Sequence, residues 1–285
     1  MKKVSVVIPT HNRPDLLKTA VDSVLKQGMK ELEVIIIDDY SEEKYLSGLE
    51  RLARGDDQIN VVRNNKNLGA AASRNKGLEL ATGEFVLFLD DDDILLPGML
   101  SKSLDALSES RLDLVSCRSV VVGDDLTNSK LKRYNRQQTN LLNTYPMYSQ
   151  PVEHIFLYTP QIHTFLIRRE VIQEIRFPTD LKYGEDLMFW LTLVDKDIRC
   201  KKLDFVGCEY RIQKTSLSHM AGYKSKMSFY KNLLIRMEGN KVIQNLCCIK
   251  MAYICLSTRN LNFFGWGFKA LSNPHLLFKH IKALC

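Results

Sequence analysis

Five apolar residues, Phe85 to Leu89, run directly into four aspartates, Asp90 to Asp93. A short run with no polar face suits a strand covered on both sides at the centre of a sheet, and the switch to carboxylates marks where it must end. The elements before it alternate in kind. Val4 to Ile8 reads as a strand ended by Pro9 and Thr10, and Pro14 opens a helix whose buried face is Leu16, Leu17, Ala20, Val21, Val24 and Leu25, stopped by Gly28. Glu33 to Ile37 is a second strand running into Asp38 and Asp39, and Ser41 is placed to cap a helix that begins with Glu42 and Glu43. Ile59 to Arg63 is a third strand, followed after Asn67 and Gly69 by an alanine-rich helix to about Ala81, with Gly83 as its terminator. Pro97 opens a further helix and Leu112 to Cys117 a further strand. This alternation predicts an α/β fold, a mostly parallel, Rossmann-like central sheet flanked by helices. Polar, turn-rich sequence from Val120 to Pro160 reads as loops and edge structure, His163 to Ile167 as a strand, and Asp186 to Val194 as a buried helix.

The chain has 285 residues, 45% of them hydrophobic, enough for a substantial core. Its first residues, MKKVSVVIPT, are too short in apolar content for a secretory signal, so a cytoplasmic protein is expected. Seven irregularly spaced cysteines fit reduced thiols better than a disulfide framework or zinc knuckle. Charge is uneven. From Arg211 to Cys285 there are twelve Lys and Arg against one acid, Glu238, a net +11 out of a total of +7, so residues 1–210 carry −4. An acidic front and a basic back point to a polyanionic partner.

Open α/β sheets bind ligands beyond the carboxyl ends of their strands, and both acidic strings fall there. A crevice shared by Asp38, Asp39 and Asp90 to Asp93 would hold up to six carboxylates, whose mutual repulsion calls for a proton or a cation. Oxygen ligands select Mg²⁺ or Mn²⁺, and few protein ligands leave coordination sites for a diphosphate.

Five strings stand in register over roughly residues 3–195: SVVIPTHNRPDLL, VIIIDDYS, NKNLGAAASRNKGLELATGEF, FLDDDDILLP and GEDLMFW. Together they resemble the inverting glycosyltransferase family 2 of the GT-A fold. The resemblance implies a UDP-sugar donor, Mn²⁺ or Mg²⁺ as cofactor, a glycan or lipid-linked glycan acceptor, and a role in bacterial surface-polysaccharide synthesis. It implies that Asp39 accepts a hydrogen bond from the nucleotide base in a pocket lined by Pro9, Thr10 and Asn12, while Asp38 braces the turn. Asp92 would be the main metal ligand in a DxD motif, Asp90 or Asp91 would hold ribose or a metal-bound water, and Asp93 would turn away as a helix cap. Arg74 would touch phosphate or pair with one of the acids. Asp186 would be the catalytic base, with Glu185 as the alternative. The sequence departs from the family at Tyr210-Arg211-Ile212-Gln213, where Gln213 stands for an expected metal-binding His; Arg211 or Lys214 would still meet phosphate, and His219 is a substitute ligand.

The expected organisation is a nucleotide-sugar-binding half over 1–115, an acceptor-binding half with the base over 116–220, and a basic amphipathic helical tail over 221–285. Helices over Lys231 to Met237 and Lys241 to Ser257, and later aromatics among Lys269, Lys279 and Lys282, suit the plane of an anionic membrane surface, with no nucleic acid as partner. Lys250 interrupts the longer helix before it reaches spanning length. Other classes fit less well. A processive synthase would carry Gln-x-x-Arg-Trp, an aspartate phosphohydrolase Thr or Val two residues after its second Asp, and a nucleotidyltransferase a Gly-rich loop after its first strand. A non-catalytic nucleotide-sugar binder would not need Asp186.

Overall fold

β1 (Val4–Thr10) is buried along its whole length and forms the axis of the sheet. It pairs in parallel with β2 (Leu32–Asp38) on one side and β4 (Phe85–Phe88) on the other, and β3 (Ile59–Arg63) adds in parallel to β2. The description is of a computed structural model and covers residues 4–109, 111–123, 146–158, 161–181, 183–211, 223–257, 266 and 269. Beyond β4 the sheet becomes mixed. β7 (Phe165–Arg168) is antiparallel to β4 and to β6 (Leu114–Val122), β6 runs parallel to β8 (Cys200–Arg211), and the two-residue β5 (Ile94–Leu95) closes antiparallel on β8. The spatial order is β3-β2-β1-β4-β7-β6-β8-β5.

The helices of this unit are α1 (Pro14–Leu25), which apolar periodicity marks out, α2 (Glu43–Gly55), the alanine-rich α3 (Ala70–Leu80), which buries Ser73 and Arg74, and α4 (Met99–Glu109). Pro14 occupies the first turn of α1, where its missing N–H costs nothing, and Gly28 takes φ +67 just past the end. α3 lies so close to the sheet that a Cβ on Gly77 would come within 2.2 Å of Val7 Cγ1. Leu17, Val21 and Val24 of α1 and Leu100, Leu104 and Leu107 of α4 join Val6, Ile8, Val34, Phe85 and Leu87 in the core.

Several local expectations are corrected. Ser41 does not cap α2; its hydroxyl accepts the Asn12 N–H at 2.8 Å, while Asn12 Oδ1 accepts the Glu42 N–H at 2.8 Å. Gly83 does not end α3, which stops at Leu80; a Cβ on Gly83 would instead meet Ser5 Oγ at 2.6 Å and Ser5 N at 2.8 Å. His163 belongs to a 3-10 turn, Ile162–Thr164, ahead of β7. The stretch read as loop contains α5 (Pro151–Tyr158), and β8, twelve residues long, was not foreseen at all.

The chain divides into two compact units, residues 1–122, 160–179 and 195–211 forming the sheet unit and residues 123–159, 180–194 and 212–285 the second. The second unit is helical where described. α5 packs on α6 (Glu185–Val194) and on α8 (Lys241–Ser257), and α8 packs on α7 (Tyr223–Arg236). Its aromatic centre joins Tyr183, Phe229, Tyr230 and Phe156, with successive ring centroids 5.6, 5.1 and 5.9 Å apart. Gly184, at φ +77, presses on that centre: a Cβ there would stand 2.5 Å from Phe229 Cε2. Among the described residues no helix is long and apolar enough to cross a membrane.

Candidate active site

The parallel strands β1, β2 and β4 run the same way and lead into polar residues, Thr10, Asp38 and Asp90. At the end of β2 the chain turns through Tyr40, whose φ of +68 is a conformation an aromatic residue rarely adopts, and beside it Asn12 sits at φ +59 after β1. Asp38, fully buried, accepts the Ser41 N–H at 3.0 Å and lies 3.5 Å from Arg63 Nε, so it braces this turn. Asp39 reaches the other way. Its Oδ1 accepts from Leu68 N (2.8 Å) and Asn64 Nδ2 (2.9 Å) and its Oδ2 from Gly69 N (2.7 Å), which ties the end of β2 to the loop that starts α3. Charge-assisted bonds of this kind are strong, and they hold the loop at the mouth of the crevice in one arrangement.

After β4, Asp90 to Asp93 form a tight turn in which Asp93 N donates to Asp90 O at 3.1 Å. The four carboxylates have different surroundings. Arg74 Nη2 meets Asp90 Oδ1 at 2.6 Å. Burial alone would raise the Asp90 pKa, but the charge and hydrogen bond of Arg74 outweigh it and hold the group below the usual carboxylate range. Asp91 Oδ2 accepts from Thr10 Oγ1 at 2.7 Å, and Arg13 Nη1 lies 3.3 Å from Asp91 Oδ1; burial still wins and its pKa is raised. Asp93, with 1% of its side chain exposed, lies 2.6 Å from His163 Nδ1 and accepts the Arg211 N–H at 3.0 Å. It is a brace rather than a helix cap.

Asp92 is the odd member. Its contact is Arg13 Nη1 at 3.3 Å, shared with Asp91, and burial together with the charges of Asp90, Asp93 and Asp91 pushes its pKa up to about 7. A carboxylate held near neutrality by its neighbours takes up either a proton or a cation readily. Among the described residues no three His, Cys, Asp or Glu side chains converge on one point that could hold a metal ion. The donor set thus fits a hard divalent ion only if Asp92 is joined by ligands that arrive with the substrate.

The first 176 residues settle the family. The profile of "Glycosyl transferase family 2" matches residues 5–176, well over half of the chain. The chain belongs to this family. A putative teichuronic acid biosynthesis glycosyltransferase of Bacillus subtilis is 30% identical over 230 residues, 80% of this chain and 86% of the relative. A GalNAc(5)-diNAcBac-PP-undecaprenol β-1,3-glucosyltransferase of Campylobacter jejuni is 44% identical over 110 residues, 38% of this chain and 36% of that relative, so this chain spans little more than a third of its length. Among solved structures, Staphylococcus aureus TarS in complex with UDP-GlcNAc superimposes with a TM-score of 0.67 at 20% identity, covering 90% of this chain and 73% of the other. The fold is GT-A and the protein is a glycosyltransferase.

With the glycosyltransferase family in view, the remaining candidates can be placed. Pro9 and Thr10 are the last residues of β1, within the sheet unit, with Thr10 committed to Asp91. Asn12 links the turn after β1 to Glu42. The Arg211 guanidinium lies 3.8 Å from Glu209 Oε2 at the end of β8. Asp186 is in the first turn of α6, in the helical unit, where its Oδ1 accepts the Leu187 N–H at 2.7 Å; Glu185 precedes it. Gln213, Lys214 and His219 lie outside the described residues. Sequence reasoning missed three contributors: Arg13, the counter-charge to Asp91 and Asp92; Asn64, which shares Asp39; and His163. Arg13 had a usable signal, since it stands between a strand end and the Pro14 that starts α1. His163 sits 70 residues from Asp93 and had none.

Proposed function

We propose that this glycosyltransferase transfers a hexose or N-acetylhexosamine from a UDP-sugar to a hydroxyl of a lipid-linked glycan, with inversion at the anomeric carbon, in the synthesis of a bacterial surface glycan. The observation that carries the reading is the acid turn beyond the central strand, where Asp90 is paired with Arg74 and Asp93 with His163 while Asp92 has a contact at 3.3 Å to Arg13, which it shares with Asp91. Two relatives support the acceptor class by name, the Campylobacter enzyme and an Escherichia coli UDP-Glc:alpha-D-GlcNAc-diphosphoundecaprenol β-1,3-glucosyltransferase that is 25% identical over 251 residues.

In this reading residues 1–115 bind the donor, with Asp39 facing the base, Pro9, Thr10 and Asn12 lining its pocket, and Asp90 or Asp91 on ribose or a metal-bound water. Arg211 meets the diphosphate, and Arg74, paired with Asp90 at 2.6 Å, meets it or braces the acid turn beneath it. Mn²⁺ or Mg²⁺ held by Asp92 would supply positive charge to the leaving diphosphate. Residues 116–220 bind the acceptor, and Asp186 takes the proton of the attacking hydroxyl as its oxygen bonds to the anomeric carbon and the bond to phosphate breaks. The helix macrodipole favours Asp186 in the ionised form that this role requires. Residues 221–285 are proposed to rest on an anionic membrane surface, near the lipid-linked acceptor, at the inner face of the cell membrane. The test is to incubate the protein with UDP-sugars and undecaprenyl-diphosphate-linked acceptors and to assign the product linkage by NMR. A β-linked product from an α-linked UDP donor supports the reading; transfer from none of the UDP-sugars contradicts it.

A further inference from the structure

We infer that His163 is a positioning residue for the acid turn: from behind Asp90 to Asp93 it holds Asp93 in place and so leaves Asp92 as the carboxylate available to a cation. The inference rests on the donor-site reading above. His163 is fully buried, and its Nδ1 lies 2.6 Å from Asp93 Oδ2, itself 1% exposed. The other Asp93 oxygen accepts the Arg211 N–H at 3.0 Å, and Asp93 N donates to Asp90 O at 3.1 Å. Three segments distant in sequence thus meet on one carboxylate: the acid turn, the end of β8 and the 3-10 turn before β7.

His163 is itself held at ring and backbone. Tyr210 stacks alongside it with ring centroids 6.1 Å apart and 28° between planes, and Cys208 Sγ donates to the His163 carbonyl at 3.2 Å. Its Nδ1 meets Asp93 as a close charged contact rather than an aligned hydrogen bond, and its Nε2 is buried without a hydrogen-bond partner among the described residues. A position serving only to fill space would be better served by an apolar side chain, because an unpaired ring nitrogen in the core costs stability. What distinguishes histidine here is the contact with Asp93. Without it Asp93 would keep only the Arg211 N–H and stand as an uncompensated buried carboxylate one residue from Asp92, competing with it for the cation or Arg13.

Full-length wild type, His163→Leu, Asp93→Asn and the double variant test this with two readouts. Amide exchange at Asp92 and Asp93, followed by NMR in EDTA, reads the turn directly; calorimetric titration with UDP and Mn²⁺ reads its consequence. In His163→Leu the turn amides should exchange about tenfold faster with Phe85–Phe88 unchanged, and UDP–Mn²⁺ affinity should fall about tenfold, with the double variant no weaker than the poorer single one. Unchanged exchange at the turn, or losses that multiply in the double variant, would overturn the inference. Should His163→Leu fail to fold, His163→Phe, which also lacks a donor to Asp93 and keeps the ring volume, carries the same comparison. If wild type binds no UDP with Mn²⁺ present, the donor reading fails, and the exchange data still decide the role of His163.

Discussion

Replacing Asp92 by Asn should stabilise the metal-free protein, and do so more as pH rises. The folded-state pKa of Asp92 is about 7 against 3.8 for the free group. Below pH 3.8 the side chain is protonated in both states and contributes nothing. Between 3.8 and 7 the unfolded chain gives up the proton while the folded protein retains it, so stability falls as pH rises, and above 7 the full loss is present. At 1.36 kcal/mol per unit the ceiling is about 4 kcal/mol. Relaxation of the turn and entry of water would reduce this to about 1–2 kcal/mol. Asparagine does not ionise and escapes the penalty. Urea unfolding in EDTA at pH 4.5 and pH 8 should therefore show Asp92→Asn close to wild type at the lower pH and more stable at the higher. A variant that is equally or less stable than wild type at pH 8 would refute the electrostatic account of the turn.

Further outcomes follow from individual contacts. Asp186→Asn should lower kcat by roughly 10²–10⁴-fold and leave calorimetric UDP binding intact, since the base acts on the acceptor rather than the donor. Arg13→Ala removes the guanidinium next to Asp91 and Asp92, so the pH at which Mn²⁺ binds in a titration should move upward. Gly77→Ala forces a methyl group into Val7 and should cost about 1–3 kcal/mol in urea unfolding, with the donor residues untouched. In Gly184→Ala, a strained φ and a collision with Phe229 act together, and the melting temperature should drop by several degrees.

The front of the fold was legible because its signals are local. β1, α1, β2, β3 and β4 each show an apolar run or period between Pro, Gly or Asp markers, α3 shows as an alanine-rich stretch between Gly69 and Gly83, and the parallel order follows from their alternation. β8 was not, because Cys200 to Arg211 mixes lysines, acids and apolar residues along a strand that is only partly buried, and its pairing with β6 is a contact across some 85 residues. The caps failed for a similar reason. Ser41 stands where a helix cap would, but α2 begins only at Glu43, and the Ser41 hydroxyl is taken by the N–H of Asn12, a residue far earlier in the chain. In the site, the acids were visible as a string, whereas what differentiates them was not. Asp90 is paired with Arg74, Asp91 with Thr10 and Arg13, Asp93 with His163 and the Arg211 amide, and Asp92 only shares Arg13 with Asp91; only the folded arrangement separates four identical residues into these roles.

Calorimetric titration of UDP, with GDP for comparison, into wild type and Asp92→Asn, each in Mn²⁺ and in EDTA, tests the central claim most directly. UDP binding that requires Mn²⁺ and is lost in Asp92→Asn is the predicted result. Binding of neither nucleotide in the presence of metal, or UDP binding that persists undiminished in Asp92→Asn, would contradict it.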